Sequence, residues 1–385
     1  MSALRIAAIA IVAAIAAALT GCSAAPATTT ACAPYAHGVV LVVGVHANEP
    51  APDLTDSVLC RLDATVDAGG PVGAVAVDGS PRVLLPVQAS PLSGDNPAAK
   101  QNSRNEIVGE ILGAIQDAKP KANGSDLVAG LVTASDLARS TTPAIADIVV
   151  VDSGVTDTGL DLTVPGATLM APQDVSQYLL EQHELRADQF QDQRLEFWGL
   201  GSTSAPQRPL SLAQRDAITA MWLGAVQATG GTAIAKTLPR GGAGPATRHT
   251  VKKAPVVEPV TIDPHAGDDL RFGDESIAFV ADQAVVIDAA KAKSVLAPVA
   301  AWLAADRTRT AAVVGRTSSA DPARNQQLSL DRANACIDLL VQLGAARDQL
   351  TAQGLGYTAD PPDDGPQGFD PAAAALNRVV EVRLG

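Results

Sequence analysis

An arginine behind a helix-start signal is the first candidate for chemistry. Ser329 is an N-cap residue by type, and Asp331 in the turn that follows complements the helix dipole. Arg332 beside it does not. A cation in a first helical turn opposes the positive helix end, and is tolerated most easily where it joins free backbone N–H groups in holding a carboxylate. The guanidinium fork offers such a group two charge-assisted hydrogen bonds. Spacing alone favours an internal salt bridge from Arg332 to a neighbouring acid, with an anion site as the other reading. His46 and Asp152 form a second pair, which strand ends would bring together in an arrangement for general-base chemistry. Beyond these, the histidines (His37, His46, His183, His249, His265) are scattered, the cysteines lack zinc spacing, and no Gly-x-Ser-x-Gly elbow, phosphate loop or His-Glu-x-x-His occurs. No enzyme and no cofactor are expected.

The first residues set the compartment. Met1 to Arg5 is a short positive start, Ile6 to Leu19 is an unbroken apolar run of 14 residues, and Leu19-Thr20-Gly21-Cys22 follows. A spanning helix needs about 20 apolar residues, so residues 1–21 read as an export signal. The pattern resembles a bacterial lipoprotein lipobox, which implies that Cys22 becomes the acylated first residue, carrying palmitate-type chains, with residues 22–36 as a tether. Each buried methylene contributes about 0.8 kcal/mol, so two or more chains hold a protein at a bilayer without a span. In an oxidising compartment Cys32 and Cys60 are expected to form a disulfide. Cys336, at an apolar helix position, reads as a buried free thiol.

These residues need a scaffold, and 385 residues supply two domains of ordinary length. The 28 Lys+Arg against 41 Asp+Glu give a formal net charge of -13, which excludes nucleic acid and a polybasic membrane contact as partners. Gly38 to Gly44 (GVVLVVG) has the continuous apolar character of a strand buried on both faces, and Asp78-Gly79-Ser80-Pro81 joins Val72–Val77 to Arg82–Gln88 as a hairpin. Helical spacing at Ala171–Gln189 and Leu210–Ala228, among strands such as Ile145–Val151, predicts a mainly parallel α/β sheet with one antiparallel edge strand over residues 37–236. Residues 237–267 are Pro- and Gly-rich and read as a flexible linker, with Arg248 to Lys253 as a basic stretch. Residues 268–385 form a second α/β domain, with β-like Ile277–Val286, a helix at Leu330–Gly344 and a strand at Val379–Leu384.

Four blocks in this last region occur together: Val314-Gly315-Arg316-Thr317, Asn325 to Ala333, Gly354-Leu355-Gly356-Tyr357, and Asn377 to Val382. Their order and spacing resemble the OmpA-like peptidoglycan-associated domain. The resemblance implies a non-catalytic groove for the diaminopimelate side chain of wall peptides, with Arg332, Thr317, Ser318, Asp321, Asn325 and Arg378 as binding residues. The chain departs from the family at one point. The first block normally ends Gly-His-Thr-Asp, whose Asp receives the ligand's ammonium, whereas here it ends Gly315-Arg316-Thr317-Ser318. Ser318 contributes no charge, so half of a zwitterion clamp is lost unless Asp321 turns into the groove. Arg316 adds a positive charge where an imidazole is usual, which favours a simple carboxylate.

The order of elements before the linker is similar to a von Willebrand factor A-type domain. That family's first strand ends Asp-x-Ser-x-Ser and holds a divalent ion; here the block is Gly44-Val45-His46-Ala47-Asn48, without the leading carboxylate. Ser125, Asp152 and Asn48 are the remaining oxygen donors, a poor set for Mg²⁺, so a metal-independent surface is expected at that sheet edge. The sequence thus predicts an exported, lipid-anchored envelope protein that binds peptidoglycan through its C-terminal domain. Its N-terminal domain offers a surface to a protein partner. The alternative is an adhesion or assembly protein whose OmpA-like half is a passive scaffold.

Overall fold

Apolar residues without polar alternation make a strand that must be covered on both faces, and Val39–Gly44 (β1) is buried along its whole length. The computed structural model describes residues 32–51, 54–238, 244–257, 262–280, 282–318, 322–358, 362–365 and 368–385; the signal segment, Cys22 and Asp321 lie outside the described residues. After β1 come α1 (Asp56–Asp67), β2 (Val72–Val77), β3 (Arg82–Gln88), α2 (Pro97–Gln116), α3 (Leu127–Arg139), β4 (Asp147–Val151), α4 (Pro172–Glu181), β5 (Arg194–Trp198), α5 (Leu212–Ala228) and β6 (Thr232–Lys236). The sheet runs β3-β2-β1-β4-β5-β6 and is parallel except for β3, which pairs antiparallel with β2. Alternate residues of β1 feed two cores: Val40 and Val42 meet Leu131, Phe197 and Trp222, while Val39, Leu41 and Val43 meet Leu62 and Ile115. Cys32 and Cys60 are disulfide-bonded, which fastens the chain ahead of β1 to α1.

The C-terminal half contains β7 (Asp269–Gly273), α6 (Ala289–Ala304), β8 (Ala311–Thr317), α7 (Pro322–Gln342), β9 (Leu350–Tyr357), the short pair β10 (Asp364–Gly365) and β11 (Gly368–Phe369), α8 (Pro371–Asn377) and β12 (Val379–Leu384). Its four-stranded sheet has the order β7-β12-β8-β9, with β8 parallel to β9 and β12 antiparallel to both its neighbours. Ala292, Leu296, Ile337 and Leu340 of α6 and α7 close its core against Val313 and Val382. Among the described residues no helix is long and apolar enough to cross a membrane.

Several expectations are corrected. The helix foreseen at Leu330–Gly344 begins at Pro322, where proline's fixed φ suits a first turn, so Ser329 lies inside it and is no N-cap. Its hydroxyl donates to the Gln326 carbonyl oxygen and accepts from the Gly356 amide, tying α7 to β9. The helix foreseen at Ala171–Gln189 stops at Glu181, and His183 follows with φ 58°. Among its described residues the Ile277–Val286 segment contributes one isolated bridge, Phe279 to Val286, and the edge strand lies earlier, at β7. Residues 244–257 of the expected flexible linker are strapped to the N-terminal half. Gln207 both donates to and accepts from the Ala254 backbone, Gln214 does the same with Pro255 and Val257, and Lys252 pairs with Asp161 at 2.8 Å.

The two halves meet through α8. Ala372 and Ala375 on this short helix enter the core of the N-terminal half. Opposite them stands Gly166 at φ 84°, where a Cβ would press on the Ala372 carbonyl oxygen and the Leu376 side chain. Glycine also sets how closely α7 lies on its sheet. A Cβ on Gly315 would collide with the Ser329 carbonyl oxygen, and one on Gly354 would come 2.6 Å from the Leu330 amide nitrogen. Gly315→Ala is expected to destabilise the protein by about 1–3 kcal/mol, because backbone must move to admit the methyl. Gly109→Ala, in α2 where the added carbon meets nothing within 4 Å, is expected to stabilise it by about 0.5–1 kcal/mol. Thermal denaturation of the two variants checks both signs.

Candidate functional site

Because α7 starts at Pro322, Arg332 stands well inside the helix and owes nothing to a helix N-terminus. The side chain reaches across α7 to the irregular segment after β7: its guanidinium lies over the Phe279 ring, 5.0 Å from the centroid, and Nε donates to the Gln283 carbonyl oxygen at 3.1 Å. It is 6% exposed, yet no carboxylate of a described residue reaches ion-pair distance. Burial depresses its proton affinity, with Asp274 opposing that effect. Arginine stays charged in proteins nonetheless, so a buried cation faces a cavity of about 400 Å³ with donors to spare.

Thr317 and Ser318 at the end of β8, Asn325 on α7, and Arg378 after α8 line the same cavity. Of the sequence-predicted set, only Asp321 falls outside the described residues. Asn325 serves the loop, donating from its amide nitrogen to the Ser318 carbonyl oxygen at 3.2 Å. The Thr317 hydroxyl is buried and has no partner among the described residues. Arg316 is not part of the cavity. It pairs with Glu381 at 2.8 Å and donates to Thr358, so its charge does not bias the groove toward a simple carboxylate. Burial alone would raise the Glu381 pKa, but Arg316 and Arg383 hold it below the usual carboxylate range.

Arg378 is where the expectation needs most revision. Its Nε donates to Asp274 at 3.0 Å and its Nη1 to Asp174 at 2.7 Å, so most of the fork is already engaged. Nη2 is buried without a partner among the described residues. Asp274 follows β7, whereas Asp174 lies in the first turn of α4, in the other half of the chain. Burial raises the pKa of both acids, and Arg378 lowers them only in part, since one guanidinium serves two carboxylates. Asp174 and Asp274 were not among the expected site residues. Pro172-Gln173-Asp174 reads as an ordinary helix start, with proline at N1 and an acid in the first turn, and a partner 204 residues away leaves no local signal.

The second candidate lies at the carboxyl ends of β1 and β4. His46, Glu49 and Asp152 are fully buried, and one potential ligand atom from each lies within 4.8 Å of the others. His46 Nδ1 is 2.6 Å from Asn48 Oδ1, and Nε2 is 3.2 Å from Asp152 Oδ2 and 3.6 Å from Glu49 Oε2. Both ring nitrogens thus face acceptors, which is the environment of an imidazolium. Burial alone would lower the His46 pKa, but the charge and hydrogen bond of Asp152, with Glu49 and Asn48, raise it to about 9. A protonated His46 sets a positive charge beside the Asp152 and Glu49 carboxylates. Asn48 and Asp152 are occupied in this way, and Ser125 packs on the Asp157 turn with its hydroxyl unpartnered. The ordinary value is 6.5, so the stability that protonated His46 contributes is complete below about that pH and is lost as pH rises through about 9. The melting temperature is expected to fall between pH 7 and 9.5, equivalent to on the order of 3 kcal/mol, and to do so much less in His46→Gln. Denaturation curves across that range check it.

Comparison with known proteins assigns part of the chain. Residues 278–369 match the OmpA family, a stretch that includes Thr317, Ser318, Asn325 and Arg332 and leaves Asp174, Asp274 and Arg378 outside. No curated protein matches the chain. Among solved structures it is similar to the peptidoglycan-associated lipoprotein from Burkholderia pseudomallei (26% identity over 28% of this chain and 86% of that one, TM-score 0.24). It is also similar to the OmpA-like domain of FopA1 from Francisella tularensis subsp. tularensis SCHU S4 (26% identity, 32% and 76%, TM-score 0.23). A third is the periplasmic domain of Helicobacter pylori MotB (17% identity, 32% and 78%, TM-score 0.27). The C-terminal half of this chain therefore carries an OmpA family domain, over residues 278–369.

Proposed function

We propose that the cavity beside Arg332 binds the diaminopimelate-bearing peptides of peptidoglycan, and that the protein couples a membrane to the cell wall without catalysis. The observation that carries this reading is the buried Arg332 guanidinium, which faces the cavity with no carboxylate of a described residue paired to it. A buried guanidinium with free donors is stabilised by a bidentate acid, and wall peptides present carboxylates of that kind. The OmpA family domain supports the same reading. A binding role also fits the chemistry of the lining: the acids nearest the centre are committed to Arg378, and the buried Thr317 hydroxyl has no base beside it.

In this proposal Cys22 carries the lipid, the exported chain stands at the envelope, and the N-terminal half is a von Willebrand A-like surface for a protein partner. Its strand order, with one antiparallel edge, suits that class. Sedimentation with insoluble peptidoglycan tests the wall contact. Wild-type protein is expected to co-sediment and Arg332→Ala to lose at least tenfold of that retention, with Arg332→Lys between them because an ammonium cannot reproduce the fork. Equal retention of all three contradicts the proposal and leaves the C-terminal half as a scaffold. For the anchor, Cys22→Ser is expected to move the protein from the membrane pellet to the soluble fraction; unchanged partitioning removes the lipid from the account.

A further inference from the structure

The cavity is lined from both halves of the chain, and its charges do not balance in the way a site for a plain acid requires. On one side, α4 brings Asp174; on the other, Asp274 follows β7; Arg378 bridges them with Nη1 and Nε. That trio carries two negative charges and one positive. Arg332 adds one positive charge without an ion-pair partner among the described residues, and Asp282, also in the lining, pairs with Arg324 at 3.5 Å. The centre of the cavity is therefore neutral as a whole and divided in sign, with surplus donors at Arg332 and a surplus of acceptors at Asp174 and Asp274.

Two buried polar atoms of lining residues lack partners among the described residues: Nη2 of Arg378 and Oγ1 of Thr317. Neither atom opens into the cavity, so the polar surface an occupant meets is that of Arg332, Asp174 and Asp274. The free guanidinium donors accept a carboxylate, and the two acids sharing one arginine accept an ammonium. A simple dicarboxylate would satisfy the first and leave the second as it stands. A group bearing both charges on one carbon satisfies the two together and leaves the buried charge unchanged.

We propose that Asp174, contributed by the N-terminal half, is the ammonium acceptor of the ligand site, so that the site is completed across the two halves and selects an α-amino acid end over a plain carboxylate. This rests on the reading of the cavity as the wall-peptide site and specifies what that site recognises. The docking of α8 against Gly166 holds Asp174 in place, since Ala372 and Ala375 bury in the core beneath α4.

Calorimetric titration of the full chain with two probes of one length separates the possibilities: diaminopimelate, with an amino group at each end, and pimelate, with none. Wild-type protein is expected to bind diaminopimelate at least tenfold more tightly than pimelate. Asp174→Asn, which keeps the shape and removes the charge, is expected to abolish that preference by weakening diaminopimelate about tenfold while pimelate is unchanged or tighter. Asp174→Glu is expected to restore part of it. Arg332→Ala is expected to weaken both probes. If Asp174→Asn weakens both probes equally, or neither, Asp174 is a structural tie and the proposal is overturned while the wall-binding reading stands. If the wild type binds neither probe, the underlying reading fails and the proposal falls with it.

Discussion

One guanidinium shared by two half-buried carboxylates governs the arrangement of this protein. Arg378 is close to fully covered, and taking three charges out of water is costly unless their geometry is good and their remaining valences are met. The Asp174 bond at 2.7 Å crosses between the halves and the Asp274 bond at 3.0 Å stays within the C-terminal half. The same ion that fixes the domain orientation therefore also draws charge into the cavity. Arg332, a short way off, spends only its Nε, on the Gln283 carbonyl oxygen. Had Asp174 or Asp274 paired with Arg332 instead, the groove would be closed chemically, and the OmpA family domain would hold a saturated pocket.

Small side chains make this closeness feasible. The chain has only 3% aromatic residues, and its interfaces are built by bringing backbones together. Gly315 and Gly354 let α7 lie on β8 and β9, which sets the depth at which Arg332 emerges. The alanines of α8 let it sink into the N-terminal core, and Gly166 clears its path. At the carboxyl ends of β1 and β4 the His46 cluster solves a related problem with different chemistry: an imidazolium beside Asp152 and Glu49 offsets part of the charge of two wholly buried acids. In both places a protein cation holds the acids.

How much of this was legible in the sequence depends on the range of each interaction. The GVVLVVG run, the Asp78–Pro81 hairpin turn and the capped helices around them are local signals, and the structure has them where the pattern puts them. The start of α7 was misread because Ser329 is an N-cap type, while its side chain in fact bonds back to Gln326 and across to Gly356. Strands β6 and β9 were missed: β6 is a short edge strand with mostly exposed residues, and β9 carries two glycines that weaken a strand pattern. Proline and glycine made residues 244–257 read as free linker, although Gln207 and Gln214 bind their backbone. Arg332, Thr317 and Ser318 belong to the motif blocks, and in the structure they line one cavity. Asp174 was not legible, because only the folded chain brings α4 to Arg378.

The most direct measurement is on the arginine side chains themselves. With ¹⁵N-labelled protein, the Nε–H signals of Arg332 and Arg378 should shift and saturate together as a soluble wall peptide containing diaminopimelate is added, while that of Arg316, engaged with Glu381 outside the cavity, stays in place. Signals from Arg332 and Arg378 that move no more than that of Arg316 would contradict the account.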